Sequence, residues 1–326
     1  MRPGKKIWLL LGLIFASAFT RAQNESPLLV FSNPIMINPA FAGFDNQTSL
    51  HVGNQYYLID SAQAYNLLHF TYDTYSDKLN GGIGLYFQQG IIGSRNISTS
   101  EFGFSYAGVP RKTKNGSIRF AVNANFLLAT KHWYVASLDG IMIDPRQTDP
   151  NPPGEEFLRY LLLKPRLSFL WDTRAVTWGI SAGYPLKVKF NTDSLDAQQS
   201  MPAAFTLYIS KNREGYKKGL RTRPYLFVPE IIFHYQEDFI ISRIHAYIEH
   251  TNITFGTFLQ SDFTHNIHTL GGTFGIAEGN IRVDLSAGAG VPGISNNTGF
   301  CGELSLKLIV PRIDYSKINP WATKAK

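Results

Sequence analysis

Apolar and polar residues alternate along most of this chain of 326 residues. From Ile118 to Leu128 every even-numbered residue is apolar, whereas the positions between them include Arg119 and Asn123. Successive side chains of a β-strand point to opposite faces, so a period of two predicts a strand with one apolar and one polar face. The same period recurs in residues 279–290 and 299–310.

About fourteen such segments follow one another after residue 48. They lie at residues 49–58, 62–73, 81–89, 97–108, 116–129, 160–171, 174–184, 201–210, 224–236, 239–249, 252–260, 266–276, 279–289 and 299–310. Their length is close to the ~10 residues that a tilted strand needs to cross a membrane, and even strand numbers are usual in bacterial barrels. We therefore predict an all-β fold, a transmembrane antiparallel β-barrel of about 14 strands over residues 49–310. A secreted β-sandwich is the alternative, but its strands usually have about 5–6 residues.

The first 22 residues have the features of an export signal. Arg2, Lys5 and Lys6 precede an apolar run over residues 7–19, and the small residue Ala22 closes the stretch. This order is typical of a secretory signal peptide, and the apolar run is too short to span a bilayer comfortably as a helix. We expect residues 1–22 to be removed after Ala22 and the mature chain to be exported.

Composition narrows the class of protein further. The signal segment holds four basic residues, which is more than half of the net charge of +7, so the charge does not argue for a nucleic-acid partner. The single cysteine, Cys301, excludes an intramolecular disulfide and a metal cage of several thiolates. No run of 18 apolar residues follows the signal, whereas 28 glycines, 23 Phe and 16 Tyr with only 17% charged residues suit a barrel wall.

Residues 33–43 interrupt the alternation just before the first strand. They contain two Asn-Pro steps five residues apart and end in Ala-x-Ala-Gly. Proline removes a backbone donor and disfavours the α region for the preceding residue, and small residues permit close backbone packing. We therefore predict a non-helical plug segment over residues 23–48. Its motif residues are Asn33, Pro34, Asn38, Pro39, Ala40, Ala42 and Gly43.

Charged residues occupy the polar face of several predicted strands, and in a barrel this face points to the lumen. They are Arg119, Lys164, Arg166, Arg243, Glu249, Arg282, Asp284, Glu303 and Lys307. Because both signs are present, these side chains can pair across the lumen. A polar network that fills the lumen is therefore favoured over an ion-selective pore.

Connections differ in length between the two ends of the predicted barrel. With the N-terminus in the periplasm, tight turns fall on that side at 172–173, 250–251 and 277–278, and the longest loop, 131–159, falls outside. The periplasmic loop 211–223 is long and basic, either as a solvated loop or as a docking site for an acidic partner or cell-wall polymer. Its basic residues are Lys211, Arg213, Lys217, Lys218, Arg221 and Arg223.

Two short motifs resemble catalytic or cofactor signatures. Residues 179–183 match G-x-S-x-G around Ser181, but they lie inside an alternating strand instead of at a strand-to-helix turn. Residues 288–293 match G-x-G-x-x-G, yet Pro292 and the residues after it are typical of a loop and not of the helix that a dinucleotide site needs. We expect no enzyme activity, no cofactor and no metal. A barrel lipase that uses Ser181 is a distant alternative.

Four short motifs carry a family resemblance over residues 27–108. They are Asn33-Pro34-x-x-x-Asn38-Pro39-Ala40-x-Ala42-Gly43, Gln55-Tyr56, Gly81-Gly82-Ile83-Gly84-Leu85 and Ile91-Ile92-Gly93. In this order the chain resembles the PorP/SprF family of type IX secretion-associated outer-membrane proteins. One departure is Asn54 before Gln55, where the family usually carries an arginine before Gln-Trp.

The resemblance implies a 14-stranded barrel in the outer membrane of a Gram-negative bacterium, embedded in outer-membrane lipids and without enzyme activity. It also implies roles in secretion or surface anchoring of adhesins and in gliding motility, with periplasmic lipoproteins or peptidoglycan-associated proteins as partners. The N-terminal segment, the loop 211–223 and a periplasmic tail, 311–326, are then the expected docking regions. The alternative is transport of hydrophobic small molecules, because FadL-type channels are also fourteen-stranded and carry an Asn-Pro-Ala motif, here Asn38-Pro39-Ala40.

Overall fold

Antiparallel strands account for nearly all of the structure, which is a computed structural model. It describes residues 29, 32–60, 63–92, 97–113, 116–132, 157–173, 175–188, 203–211, 225–236, 239–264, 266–293 and 299–310. Within these residues the β-elements are β1 (Thr48–Asp60), β2 (Gln63–Ser76), β3 (Gly81–Ile92), β4 (Ile97–Thr113), β5 (Gly116–His132), β6 (Phe157–Thr173), β7 (Val176–Gly183), β8 (Leu186–Val188), β9 (Ala204–Lys211), β10 (Leu226–Gln236), β11 (Phe239–His250), β12 (Ile253–Asp262), β13 (Ile267–Glu278), β14 (Ile281–Gly290) and β15 (Phe300–Val310).

The sheet closes on itself. β1 pairs with β2 on one side and with β15 on the other, and the β5–β6 pair completes the circuit. β7 and β8 are two parts of one barrel strand, because both pair with β6 in the same register, Arg166 opposite Gly183 and Leu163 opposite Leu186. The predicted fold, a closed antiparallel barrel of 14 strands, is confirmed.

The two faces of the wall differ as the alternation predicts. In β5, Phe120 and Val122 are exposed on the outer face, whereas Arg119 and Asn123 are buried on the inner face. The other strands carry the same pattern, so the outside is an apolar belt and the inside is polar. Among the described residues, no helix is long and apolar enough to cross a membrane.

We expect Leu285→Arg to lower the free energy of unfolding in lipid vesicles by about 2–4 kcal/mol, because an arginine on the lipid face at mid-membrane is desolvated. Leu285 lies on the outer face in the middle of β14 and is 51% exposed. Ile281→Arg is the matched control, since Ile281 lies on the same face at the end of the same strand and is 50% exposed. Its expected cost is about 0–1 kcal/mol. Equal losses in urea unfolding would contradict a membrane-crossing β14.

The two ends of the barrel have different connections. We call the end where β1 begins at Thr48 the N-terminal rim and the opposite end the far rim. Two tight turns of the N-terminal rim lie at 251–252 and 279–280, one and two residues later than predicted, because the flanking ladders continue further. β6 ends at Thr173 and β7 begins at Val176, so this connection also falls two residues later than predicted. Thr251 and Gly279 have φ of 52° and 59°, as the first residue of a primed hairpin turn requires. The longest connection, 133–156, belongs to the far rim.

The prediction of a non-helical segment before β1 needs correction. Two single-turn 3₁₀ helices lie there, Pro34–Met36 and Pro39–Phe41. Each begins with proline. The first residue of a helix has no intrahelical partner for its N–H, so proline loses no hydrogen bond there, and its fixed φ suits a helical turn. Proline disfavours the α region for the residue before it, so one continuous helix cannot pass through Asn38 and Pro39. Two short turns with Asn38 extended between them meet this requirement.

Candidate functional site

An N-terminal segment, Leu29 and residues 32–46, lies against the inner face of the barrel. It contacts side chains or backbone of β2, β3, β5, β6, β7, β9, β10 and β15, so it crosses the lumen. The predicted motif residues are buried, apart from Pro34, which is half-buried; they are Asn33, Asn38, Pro39, Ala40, Ala42 and Gly43. This segment and the wall that contacts it form the candidate site.

Asn38 fastens the middle of the segment to the seam between β6 and β7. Its side-chain Nδ2 donates to the carbonyl oxygens of Phe169 (3.1 Å) and Ile180 (3.4 Å). Its Oδ1 accepts from the backbone N–H of Ala40 at 2.9 Å and thereby caps the second 3₁₀ turn. Only an amide side chain can donate twice and accept once in this place, which explains an asparagine before the proline.

Ala42 and Gly43 are held at the N-terminal rim by charged side chains. The Arg119 guanidinium donates to the carbonyl oxygen of Ala42 at 2.6 Å, and the Asp73 carboxylate accepts from the N–H of Gly43 at 2.9 Å. Gly43 has φ of 58°, and Gly82 of β3 lies directly against it. A Cβ on Gly82 would lie 1.8 Å from the Ala42 carbonyl oxygen. The segment and the wall therefore meet backbone to backbone here.

The G-x-S-x-G motif contacts the segment instead of forming a nucleophile site. The Ser181 hydroxyl donates to the carbonyl oxygen of Ile37 at 3.2 Å. A Cβ on Gly179 would lie 2.6 Å from the Asn38 amide nitrogen. Next to them, the Arg166 guanidinium donates to the carbonyl oxygen of Met36 at 3.3 Å. The motif thus has a packing and hydrogen-bonding role inside the strand.

The upstream part of the segment is bound by β2 and β15. Thr71 donates to the Asn33 side chain at 3.0 Å, and the hydroxyls of Ser32 and Ser305 are 3.3 Å apart. Further upstream, the backbone N–H of Leu29 donates to the Glu303 carboxylate at 3.0 Å. Polar contacts therefore hold the described part of the segment at Leu29 and between Ser32 and Gly43.

Apolar packing accompanies these bonds. The Phe41 ring meets the rings of Tyr208 and Phe44 edge to face, with centroids 5.2 and 5.3 Å apart. A buried cluster unites this part of the segment with the wall: Ile35, Ile37, Ala40, Phe41, Ala42, Ala107, Ala121, Leu170, Tyr208 and Ile232. Burying this surface inside an otherwise polar lumen stabilises the segment in place.

The predicted lumen charges all lie on the inner face, and six of them form three separate groups. Arg119 and Arg166 bind the segment, as described. Arg282 binds Asp284 at 2.9 Å and lies 3.5 Å from Glu249 near the N-terminal rim. Lys164 binds Glu101 at 2.7 Å on the opposite wall.

The remaining predicted charges are those of Arg243, Glu303 and Lys307. Arg243 binds the Gln260 side chain through Nε and Nη2 (3.0 and 2.6 Å), and Glu303 lies 3.6 Å from His69. Lys307 is half-buried and pairs with His51 in the β1–β15 register.

Sequence reasoning missed several buried polar groups of the same face. Glu101 accepts from Tyr86 and Asn125, both at 2.8 Å. Glu230 accepts from Tyr208 at 3.0 Å and lies 3.4 Å from His245. The alternation in the sequence could have assigned them to the inner face, because each is flanked by residues of the outer face.

The candidate docking loop lies almost entirely outside the described residues. Lys211 ends β9 and is half-buried, whereas Arg213, Lys217, Lys218, Arg221 and Arg223 are not among the described residues. The signal segment 1–22 and the tail 311–326 also lie outside them. In the part of the chain that the structure describes, no group of three or more His, Cys, Asp or Glu side chains is placed to hold a metal ion.

Comparison with known proteins gives a family match and distant structural likenesses. The model of the family described as type IX secretion system membrane protein PorP/SprF matches residues 28–307. No curated protein matches the sequence. Among solved structures, Omp33, an outer membrane protein of Acinetobacter baumannii, is 10% identical with a TM-score of 0.43, covering 81% of this chain and 98% of its own. CdiB from Acinetobacter baumannii is 8% identical with a TM-score of 0.44, covering 81% of this chain, which spans 60% of that protein.

Proposed function

The chain belongs to the PorP/SprF family of type IX secretion system membrane proteins, and we propose that it serves this system as a non-enzymatic docking barrel closed by its own N-terminal segment. It is a membrane component of the type IX secretion system with an outer-membrane location. The proposed finer role is support of the secretion or surface anchoring of an adhesin, including one used in gliding motility.

The observation that carries this proposal is the occupied inner face. Bonds from Arg119, Asp73, Ser181 and Glu303 hold the segment across the lumen. A lumen crossed by its own chain is poorly suited to the passage of solutes. While the segment is in place, the surfaces open to partners are the two rims, and we infer that the segment acts as a plug.

The basic loop 211–223 is the proposed docking surface of the N-terminal rim. It carries six basic residues and a single acidic one, Glu214, and it follows β9, whose Tyr208 contacts the segment. A surface of this charge attracts an acidic partner. We propose a periplasmic lipoprotein or a peptidoglycan-associated protein as that partner, with the tail 311–326 contributing to the same surface.

Transport of hydrophobic molecules gains no support from the inner face. Such a passage needs an apolar lining, whereas the lumen side carries buried charged groups on opposite walls, among them Glu101, Arg243 and Glu303. The Asn-Pro-Ala motif that suggested transport is engaged with the β6–β7 seam through Asn38.

Affinity capture of the full-length protein from native membranes tests the docking role. We expect periplasmic components of the secretion system and a surface adhesin to be captured, and we expect K217Q/K218Q/R221Q to reduce the periplasmic part. The matched control is K131Q/R146Q/R159Q, which removes the same charge from the far-rim loop and its flanking strand ends. Capture of the barrel alone, or equal losses in both variants, would contradict the proposal.

A further inference from the structure

Five of the hydrogen bonds between wall and segment are directed at the backbone of the segment. Five wall side chains bind segment main-chain groups: Arg119, Arg166 and Ser181 donate to carbonyl oxygens, and Asp73 and Glu303 accept from N–H groups. These groups belong to every residue type, apart from the N–H that proline lacks. The wall therefore recognises the course of the peptide backbone, in addition to the side chains of Asn33 and Asn38.

The inner face also leaves space for the segment, for its backbone at Gly82 and for its side chains at Gly84 and Gly179. Gly82, Gly84 and Gly179 face the segment, and a Cβ on any of them would lie between 1.8 and 2.6 Å from an atom of the segment. The closest approach is from Gly82 to the main-chain oxygen of Ala42, and the next is from Gly84 to the terminal side-chain carbon of Ile35. This wall has the donors, acceptors and clearance of a peptide-binding groove.

We propose that the inner face is a peptide-binding site that exchanges its own N-terminal segment for an equivalent segment supplied by another chain. The incoming peptide has small and apolar residues with proline-initiated turns, because it must fit the glycine-lined wall and place an apolar side chain where Phe41 contacts Tyr208. This inference extends the proposed docking role. It depends on that role only for the identity of the chain that supplies the incoming peptide. Binding itself is independent of secretion.

A cleavable full-length protein provides the test. A protease site inserted between Asn46 and Gln47, both exposed, leaves the segment held by non-covalent contacts after cleavage of the folded protein. A labelled synthetic peptide of residues 29–46 is added, and the bound label is measured after removal of free peptide. We expect saturable exchange, whereas a scrambled peptide of the same composition does not bind.

Changes to the peptide and to the wall identify the mode of binding. N-methylation of the Gly43 nitrogen removes the donor to Asp73 without adding a Cβ, so we expect binding to weaken about tenfold or more. N-methylation at exposed Asp45 is the matched control and is expected to change little. Ser181→Ala in the wall should weaken binding several-fold.

The resident segment could block uptake if it stays tightly bound after cleavage. Asn38→Ala in the cleavable protein tests for this, because it weakens binding of the resident segment and leaves the wall intact. This variant should take up more wild-type peptide. No uptake above the scrambled peptide in this variant would overturn the proposal, as would uptake that is insensitive to Ser181→Ala and to N-methylation at Gly43. Either result is independent of whether secretion partners are captured.

Discussion

Gly82→Ala is expected to release the Ala42–Gly43 end of the segment from the wall. The new Cβ would lie 1.8 Å from the carbonyl oxygen of Ala42 and 2.8 Å from the backbone nitrogen of Gly43. Both contacts are with main chain, so neither is relieved by a side-chain rotation, and the bonds to Arg119 and Asp73 must lengthen. Overpacking of this kind costs about 1–3 kcal/mol, which corresponds to roughly five- to 150-fold faster amide hydrogen exchange over the segment.

Gly272→Ala is the matched control for this experiment. Gly272 lies on the outer face of β13, and a Cβ there would meet only the carbonyl oxygen of Gly256 at an ordinary 3.7 Å. The same substitution in the same barrel should leave exchange in residues 32–46 unchanged. If exchange in the two variants were indistinguishable, the close contact at Gly82 would not hold the segment.

The wall of the barrel could be predicted from the sequence because its determinants are local. In β5 the alternation of Phe120 and Val122 with Arg119 and Asn123 depends only on neighbours in the chain. Each strand repeats this signal, so their number and order follow from it. The errors lie at turns and strand ends, where further ladder pairs shift the boundary, by one residue at Thr251 and by five at the end of β4, which reaches Thr113.

The contacts of the segment could not be predicted, because they join residues far apart in the chain. Asn38 binds the carbonyl oxygen of Ile180, 142 residues away, and Glu303 binds the N–H of Leu29, 274 residues away. Gly179 and Ser181 match a hydrolase motif in sequence. In the structure, Gly179 leaves space for the segment and the Ser181 hydroxyl donates a hydrogen bond to it. A period of two assigns such residues to a face but carries no information about what covers that face.

Arg119→Met is expected to loosen the same end of the segment by removing its charged donor. Arg119 is 3% exposed, its Nη2 lies 2.6 Å from the Ala42 carbonyl oxygen, and its guanidinium carbon is 5.4 Å from the centre of the Phe44 ring. Methionine keeps the length of the stem but leaves a buried carbonyl without this donor. Hydrogen bonds to charged groups contribute about 1.5–3 kcal/mol, so exchange over residues 32–46 should quicken by about ten- to 150-fold.

Arg282→Met separates this effect from a general loss of barrel stability. Arg282 is also an inner-face arginine, but it binds Asp284 and Glu249 away from the segment, so its loss should lower global stability while leaving segment exchange slow. The double variant G82A/R119M supplies a second criterion. Since Gly82→Ala already displaces the Ala42 carbonyl oxygen that Arg119 binds, adding Arg119→Met should increase exchange by less than it does alone. Fully additive effects would show that Arg119 and Gly82 act on the segment independently. They would contradict a single shared point of attachment at the Ala42 carbonyl group.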